Sequence, residues 1–171
     1  MNPVSQRAFV GIGSNLAGPE YQILNAFDGL AHLPHTRLGA SSSLYRSAPV
    51  GYTGQPDFIN AVALLKTTLT PLQLLHALFD LEHRFGRQRS FRNAPRILDL
   101  DLLLYDGLIC HEPGLTLPHP RMHERAFVLA PLLEIAPDCA IPGRGTAFSF
   151  LQSCAGQSVE RLDNPQAALR A

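Results

Sequence analysis

Residues 97–105, ILDLDLLLY, constrain the fold of this chain more than any other stretch. Seven of the nine side chains are apolar, far too few in a row for a membrane span but enough for a buried strand. In a strand, alternation puts Leu98, Leu100, Leu102 and Leu104 on one face, the core face. Ile97, Asp99, Asp101 and Leu103 share the other. The leucine face requires a second layer to cover it. The opposite face sets two carboxylates side by side, about 6.5 Å apart along the strand.

The segments around this strand supply the second layer. Residues 8–12, AFVGI, read as a short buried strand ending in the turn-like GSN. Residues 20–32 carry Ile23, Leu24, Phe27 and Leu30 at helical spacing. Residues 38–46, LGASSSLYR, are extended, the loop SAPVGYTGQPD follows, and residues 58–66, FINAVALLK, form another strand. A helix then starts at Thr70: Pro71 suits the first helical position and Gln73 completes a T-x-x-Q capping box. Leu74, Leu78, Leu81 and Phe85 line its apolar face, and Gly86 ends it. Residues 125–137 contain a short apolar helix, and residues beyond about 155 are peripheral. The order β-α-β-β-α-β predicts a ferredoxin-like α+β fold: a mainly antiparallel sheet with helices on one face, in a single domain over residues 1–171.

Charge and cysteine usage narrow the function. Fourteen basic and fourteen acidic residues cancel, so binding to nucleic acid through bulk charge is not expected. Cys110, Cys139 and Cys154 are scattered, with no C-x-x-C pair, which fits a reducing cytoplasm rather than a disulfide or thiolate-zinc framework. The N-terminus lacks the pattern of a signal peptide, and no membrane association is expected.

The aspartates are the first candidates for chemistry. Two close, partly buried carboxylates are costly unless positive charge lies between them. Hard oxygen ligands suit magnesium, which takes one or two carboxylates together with substrate phosphates. The alternative is an open sheet face with the pair solvated and joined to Arg96; on D-x-D alone the two readings weigh equally. Arg87, Arg89, Arg92 and Arg96 cluster just upstream, and guanidinium forks suit phosphate oxygens. Glu82 lies on the apolar side of the capped helix. It is either a snorkelling surface residue or paired with a loop arginine such as Arg87, and is grouped with the nucleotide side.

Elsewhere, LPHPRMHERAF at 117–127 gathers His119, Arg121, His123 and Arg125 in a proline-marked turn, where phosphate contact is a better reading than zinc. Phe58 and Asn60 share one side of their strand, as core residues or as a ring and amide facing a flat heterocycle. GIGSNL at 11–16 opens like a dinucleotide fingerprint but has Leu16 in place of the third glycine, and no G-x-x-x-x-G-K-[ST] is present.

Taken together, these residues resemble a known family. RNAPRILDLDLL at 92–103 matches the signature of 6-hydroxymethyl-7,8-dihydropterin pyrophosphokinase. GIGSNL, SSLYRSAPVG at 42–51, QPDFINA at 55–61, LEHRFGRQR at 81–89 and LPHPRMHERAF follow in the family's order. The resemblance implies transfer of pyrophosphate from ATP to the hydroxymethyl group of a reduced pterin, with release of AMP, in folate biosynthesis. It implies two magnesium ions on Asp99 and Asp101 and phosphate binding by Arg87 and Arg96. Arg89 and Arg92 would lie on a closing loop, with His119 and Arg125 at the nucleotide. Phe58 and Phe127 would sandwich the pterin, Asn60 would bond its edge, and Ser47, Ala48 and Val50 would add backbone contacts. A monomer is expected. Asn93 stands where many members have Trp, Ala94 where Gly is frequent, and Ser47 where Thr is common; the 87–96 loop is one residue shorter than in some relatives. A base-stacking RNA module and a metal-dependent phosphohydrolase are the rival classes.

Overall fold

A computed structural model describes residues 4–86 and 91–163. In chain order the elements begin with β1 (Gln6–Ser14), α1 (Pro19–Ala31), β2 (Thr36–Ser41), β3 (Tyr45–Ser47) and β4 (Phe58–Thr67). Next come α2 (Pro71–Arg84), β5 (Asp99–Tyr105), β6 (Cys110–Glu112), β7 (Leu115–Leu117) and α3 (Ala126–Ile135). The last are β8 (Ala140–Ile141), β9 (Gly145–Thr146), α4 (Ala147–Ser153) and β10 (Val159–Arg161). A single 3₁₀ turn at Met122–Glu124 precedes α3.

The sheet order is β10-β3-β4-β1-β5, with β2 also on β4. All of its pairings are antiparallel, and the central ladder runs from Gln6↔Thr67 to Ser14↔Ile59. This is the expected ferredoxin-like α+β arrangement. The extended stretch 38–46 is two strands rather than one, both lying on β4. At the break, Ser42 stands in for a ladder residue: its N–H donates to the Val62 carbonyl at 2.9 Å, and its Oγ accepts from the Val62 N–H at 2.9 Å.

α2 forms as its ends dictate. Gln73 N–H donates to Thr70 Oγ1 at 3.3 Å, and Thr70 N–H to Gln73 Oε1 at 2.9 Å. Gly86 takes φ +78° beyond the last turn, a conformation that costs glycine little. α1 and α2 pack Ile23, Ala26, Leu30, Leu74, Leu78 and Leu81 against Val10, Ile12, Leu98, Leu100 and Leu102.

Three expectations are corrected. Helices do not keep to one face: α3 and α4 bury Val128, Leu129, Leu132 and Ala147 against Phe9, Val62, Leu103 and Leu104 on the other. Leu104 lies in that second cluster because the β1–β5 register jumps from Phe9↔Leu104 to Val10↔Leu102, a bulge at Leu103 that turns the rest of the strand over. The described part of the stretch past 155, residues 156–163, is tied into the fold rather than peripheral. β10 pairs with β3, and the Gln157 side chain grips the start of α3, accepting from Ala126 N–H at 2.9 Å and donating to Glu124 O at 2.7 Å.

Candidate active site

Antiparallel pairing brings the C-terminal ends of β1 and β3 to the N-terminal ends of β4 and β5, on the face that α3 covers. A cavity of about 250 Å³ opens there. Gly13 contributes by having no side chain, since a Cβ would lie 3.5 Å from Asn60 Oδ1. The bulge also contributes: the carbonyl of Leu103 accepts the N–H of His119 at 2.8 Å, which sets the histidine beside Asp101.

Eleven of the expected residues line this cavity: Ser47, Ala48, Val50, Phe58, Asn60, Arg96, Asp99, Asp101, His119, Arg125 and Phe127. Glu82 does not. It is buried at 2% exposure on the far side of β5, where Oε1 accepts the N–H of Leu100 at 2.6 Å, between the two aspartates. There it braces the strand. Arg92 is exposed and also outside the lining. Arg87 and Arg89 lie outside the described residues.

The two aspartates are not equivalent. Asp99 Oδ2 accepts from Arg96 Nη1 at 2.7 Å, so the ion pair weighed as an alternative is present for this carboxylate. Asp101 lies 4.0 Å from His119 Nε2. Burial, and next the charge of Asp99, push its carboxyl up to about 7. His119 is driven down to about 4, by burial first and by Arg125 next. It is therefore neutral at pH 7. Arg121 N–H donates to its Nδ1 at 3.2 Å, which leaves the ring proton on Nε2, directed at Asp101.

A divalent cation fits these residues. It would add positive charge beside the half-exposed Asp101, which makes no arginine bond among the contacts described, and both donors are hard oxygens. Among the described residues no group of three or more His, Cys, Asp or Glu is placed to hold a metal. The aspartate pair would therefore share its ion with oxygens from a substrate, as magnesium does with phosphates.

These shifts make stability depend on pH. The folded state holds the Asp101 proton more tightly than the unfolded chain, so this group subtracts stability progressively as pH rises from about 4 to about 7. His119 acts in the opposite sense: its contribution is lost as pH falls from 6.5 towards about 4. The two oppose each other over most of that window. The signature is therefore the Tm difference between Asp101→Asn and the parent in metal-free buffer, which is expected to grow by a few degrees from pH 4.5 to 7. A difference independent of pH would contradict the raised carboxyl.

The other half of the cavity is aromatic and amide. Asn60 is 5% exposed, and its Nδ2 donates to Ser47 Oγ at 2.8 Å, which turns Oδ1 towards Gly13. The Arg96 guanidinium stands 5.8 Å from the Phe58 ring centroid, and that of Arg125 stands 5.6 Å from the Phe127 centroid. Each ring therefore carries a cation from the phosphate-suited half.

Sequence reasoning missed Asn15. Its Nδ2 donates to Gln55 Oε1 at 2.8 Å and to Pro56 O at 3.0 Å, while its Oδ1 accepts from Arg96 N–H at 2.9 Å. Gln55 Nε2 donates on to Asn93 O at 2.9 Å, and Tyr52 meets Phe91 edge-on at 5.5 Å. One amide thus ties the arginine-bearing segment to the loop before Phe58. The one sequence cue to it is its place in GIGSNL.

Comparison with known proteins decides the family. The family model of 7,8-dihydro-6-hydroxymethylpterin-pyrophosphokinase (HPPK) matches residues 9–137. The chain belongs to the HPPK family. A Pseudomonas aeruginosa 2-amino-4-hydroxy-6-hydroxymethyldihydropteridine pyrophosphokinase is 47% identical over 157 residues, covering 92% of this chain and 97% of that protein. A Haemophilus influenzae protein of the same name is 40% identical, covering 91% and 98%. Among solved structures, a Plasmodium falciparum HPPK-DHPS superposes with a TM-score of 0.70 at 13% identity, covering 87% of this chain and 43% of that one. That likeness supports the fold, so the eleven cavity residues sit within an HPPK fold.

Proposed function

We propose that this cavity is where the chain performs the HPPK reaction, an ATP-dependent transfer of pyrophosphate to the hydroxymethyl group of 6-hydroxymethyl-7,8-dihydropterin. The products are the pterin diphosphate and AMP, a step of folate biosynthesis. One observation carries the placement: the carboxylate pair, three arginines and an aromatic-amide slot all open on a single cavity.

The bond that breaks lies between the α-phosphorus bridging oxygen and the β-phosphorus of ATP. The bond that forms joins the pterin hydroxymethyl oxygen to the β-phosphorus, and the hydroxyl proton is lost. Such transfers depend on positioning and charge neutralisation more than on covalent help from protein. Arg96 and Arg125 would hold phosphate oxygens, with neutral His119 donating from Nε2. Phe58 and Phe127 would stack the pterin, and Asn60 Oδ1, fixed by Ser47, would accept from its amide edge. Asp99 and Asp101 would hold magnesium, two ions in our reading, which supplies charge neutralisation on the polyphosphate. By the family resemblance Arg87 would also bind phosphate oxygens, and Arg89 and Arg92 would belong to a closing loop. We further propose a cytoplasmic monomer that engages neither nucleic acid nor membrane. Balanced charge weighs against nucleic-acid binding, and no helix among the described residues is long and apolar enough to cross a membrane.

Phe127→Ala is expected to weaken pterin binding several-fold to tens-fold, because stacking contributes roughly 0.5–1.5 kcal/mol beyond area burial. ATP-analogue binding should stay nearly intact. Asn60→Ala should weaken pterin binding at least as much, by leaving a buried polar edge unpaired. Titration calorimetry checks both, and unchanged pterin affinity in the two variants would displace the slot.

A further inference from the structure

The last turn of α3 carries a carboxylate where helix electrostatics disfavour one. A helix C-terminus bears partial negative charge, so Glu134 sits against the macrodipole and gives no local benefit to its own helix. Its contacts lie elsewhere. The side chain is 23% exposed, and its two oxygens accept from Ser43 N–H at 3.0 and 3.1 Å. Oε1 also accepts from Ser43 Oγ at 2.8 Å, and Oε2 from the Tyr45 hydroxyl at 2.6 Å. Arg161 of β10 stands 3.5 Å from Oε1 and donates from Nε to Ser43 Oγ at 3.1 Å. Burial acts to raise the Glu134 pKa, but the donors Tyr45 and Ser43 outweigh it and leave it below the ordinary value. The carboxylate is therefore charged and held by several bonds to the start of β3.

The two elements so joined each reach the cavity at their other end. α3 presents Phe127 and Val128 from its first turn, and β3 ends at Ser47, the acceptor for Asn60. Within α3, Pro131 has no N–H, so the Phe127 carbonyl lacks its i→i+4 helical partner. The turn bearing the ring is thus less constrained by the helix itself, and its placement depends more on how the rest of α3 is attached.

We propose that Glu134 is a positioning residue for the pterin slot: its carboxylate locks β3 to α3 and so sets the spacing between Phe127 and the Ser47–Asn60 pair. The inference rests on the pterin reading of that slot given above. Glu134 touches neither substrate, and its effect reaches the ring through the helix.

The test compares Glu134→Ala, Glu134→Gln, Tyr45→Phe and Phe127→Ala. The readouts are the Kd for the hydroxymethyl pterin in the presence of a non-hydrolysable ATP analogue, the Kd for that analogue alone, and Tm. Glu134→Ala is expected to weaken the pterin about ten-fold, as loss of most of the stacking on the Phe127 ring would. Analogue affinity should stay within about two-fold. Glu134→Gln keeps a carbonyl acceptor for Ser43 and should recover most of the loss. Tyr45→Phe, which removes one donor, should weaken the pterin about three-fold, and it decides the matter if Glu134→Ala does not fold. A role in stability alone predicts a lower Tm with unchanged affinities. Should Phe127→Ala weaken the pterin while the Glu134 and Tyr45 variants bind it normally, the lock is overturned and the slot stands. Should Phe127→Ala also bind normally, the slot reading fails and the lock falls with it.

Discussion

Asp101→Ala is expected to lose on the order of a thousand-fold in turnover or more, the loss of several kcal/mol of charge stabilisation. Asp101 is the carboxylate without an arginine bond among the contacts described, and burial together with Asp99 makes it costly to ionise in the metal-free protein. A side chain held in that state is poorly explained by stability and well explained by a cation it meets during turnover. The same substitution should therefore leave Tm in metal-free buffer unchanged or higher, and should leave pterin affinity little altered, since Phe58, Asn60 and Phe127 remain. If the carboxylate served only the fold, the variant would melt earlier and turn over near normally.

Arg96→Ala is expected to reduce turnover about a hundred-fold, as removal of one preorganised electrostatic partner commonly does. The loss should not come from misplaced backbone. Asn15 holds residue 96 through its main chain, accepting from Arg96 N–H at 2.9 Å and donating its own N–H to Arg96 O at 3.1 Å. The guanidinium bonds Asp99 and stands over Phe58, at the junction of the two halves of the cavity. Arg96→Lys keeps the charge but not the planar fork, so it should recover only part of the rate. Full recovery by lysine would mean that charge alone matters at this position.

Where sequence patterns report local physics, they predicted the structure well. Alternation in residues 97–102, the Thr70 capping box and the α1 stripe at Ile23, Phe27 and Leu30 each follow from a period or a terminus, and each is found, with Leu24 left outside the core cluster. The ferredoxin-like order followed from them. Alternation failed beyond Leu102, because the bulge at Leu103 depends on the pairing with β1 and nothing in ILDLDLLLY marks it. The side of the sheet that α3 takes was equally hidden. Its sequence, AFVLAPLLEI, is apolar nearly all round and so does not indicate which layer it joins.

At the site, residues with strong chemical character were legible and those that position them were not. The aspartates, Arg96, Phe58 and Asn60 stood out by charge or ring, and they meet in one cavity. Glu82 is grouped with the nucleotide side in the sequence, but it does not line the cavity, and its carboxylate accepts the backbone N–H of Leu100 in β5. Asn15, Gln55 and Glu134 were not singled out because their importance lies in partners 40, 81 or 91 residues away, which only the fold brings together.

The most direct test of pyrophosphate transfer at this site quantifies products from ATP, magnesium and 6-hydroxymethyl-7,8-dihydropterin, with parent and Asp101→Ala run side by side. The expected products are AMP and the pterin diphosphate in equal amounts, dependent on both magnesium and the pterin, with Asp101→Ala slower on the order of a thousand-fold. Release of ADP or orthophosphate, AMP formed without the pterin, or an Asp101→Ala variant that keeps most of its turnover at saturating magnesium would contradict it.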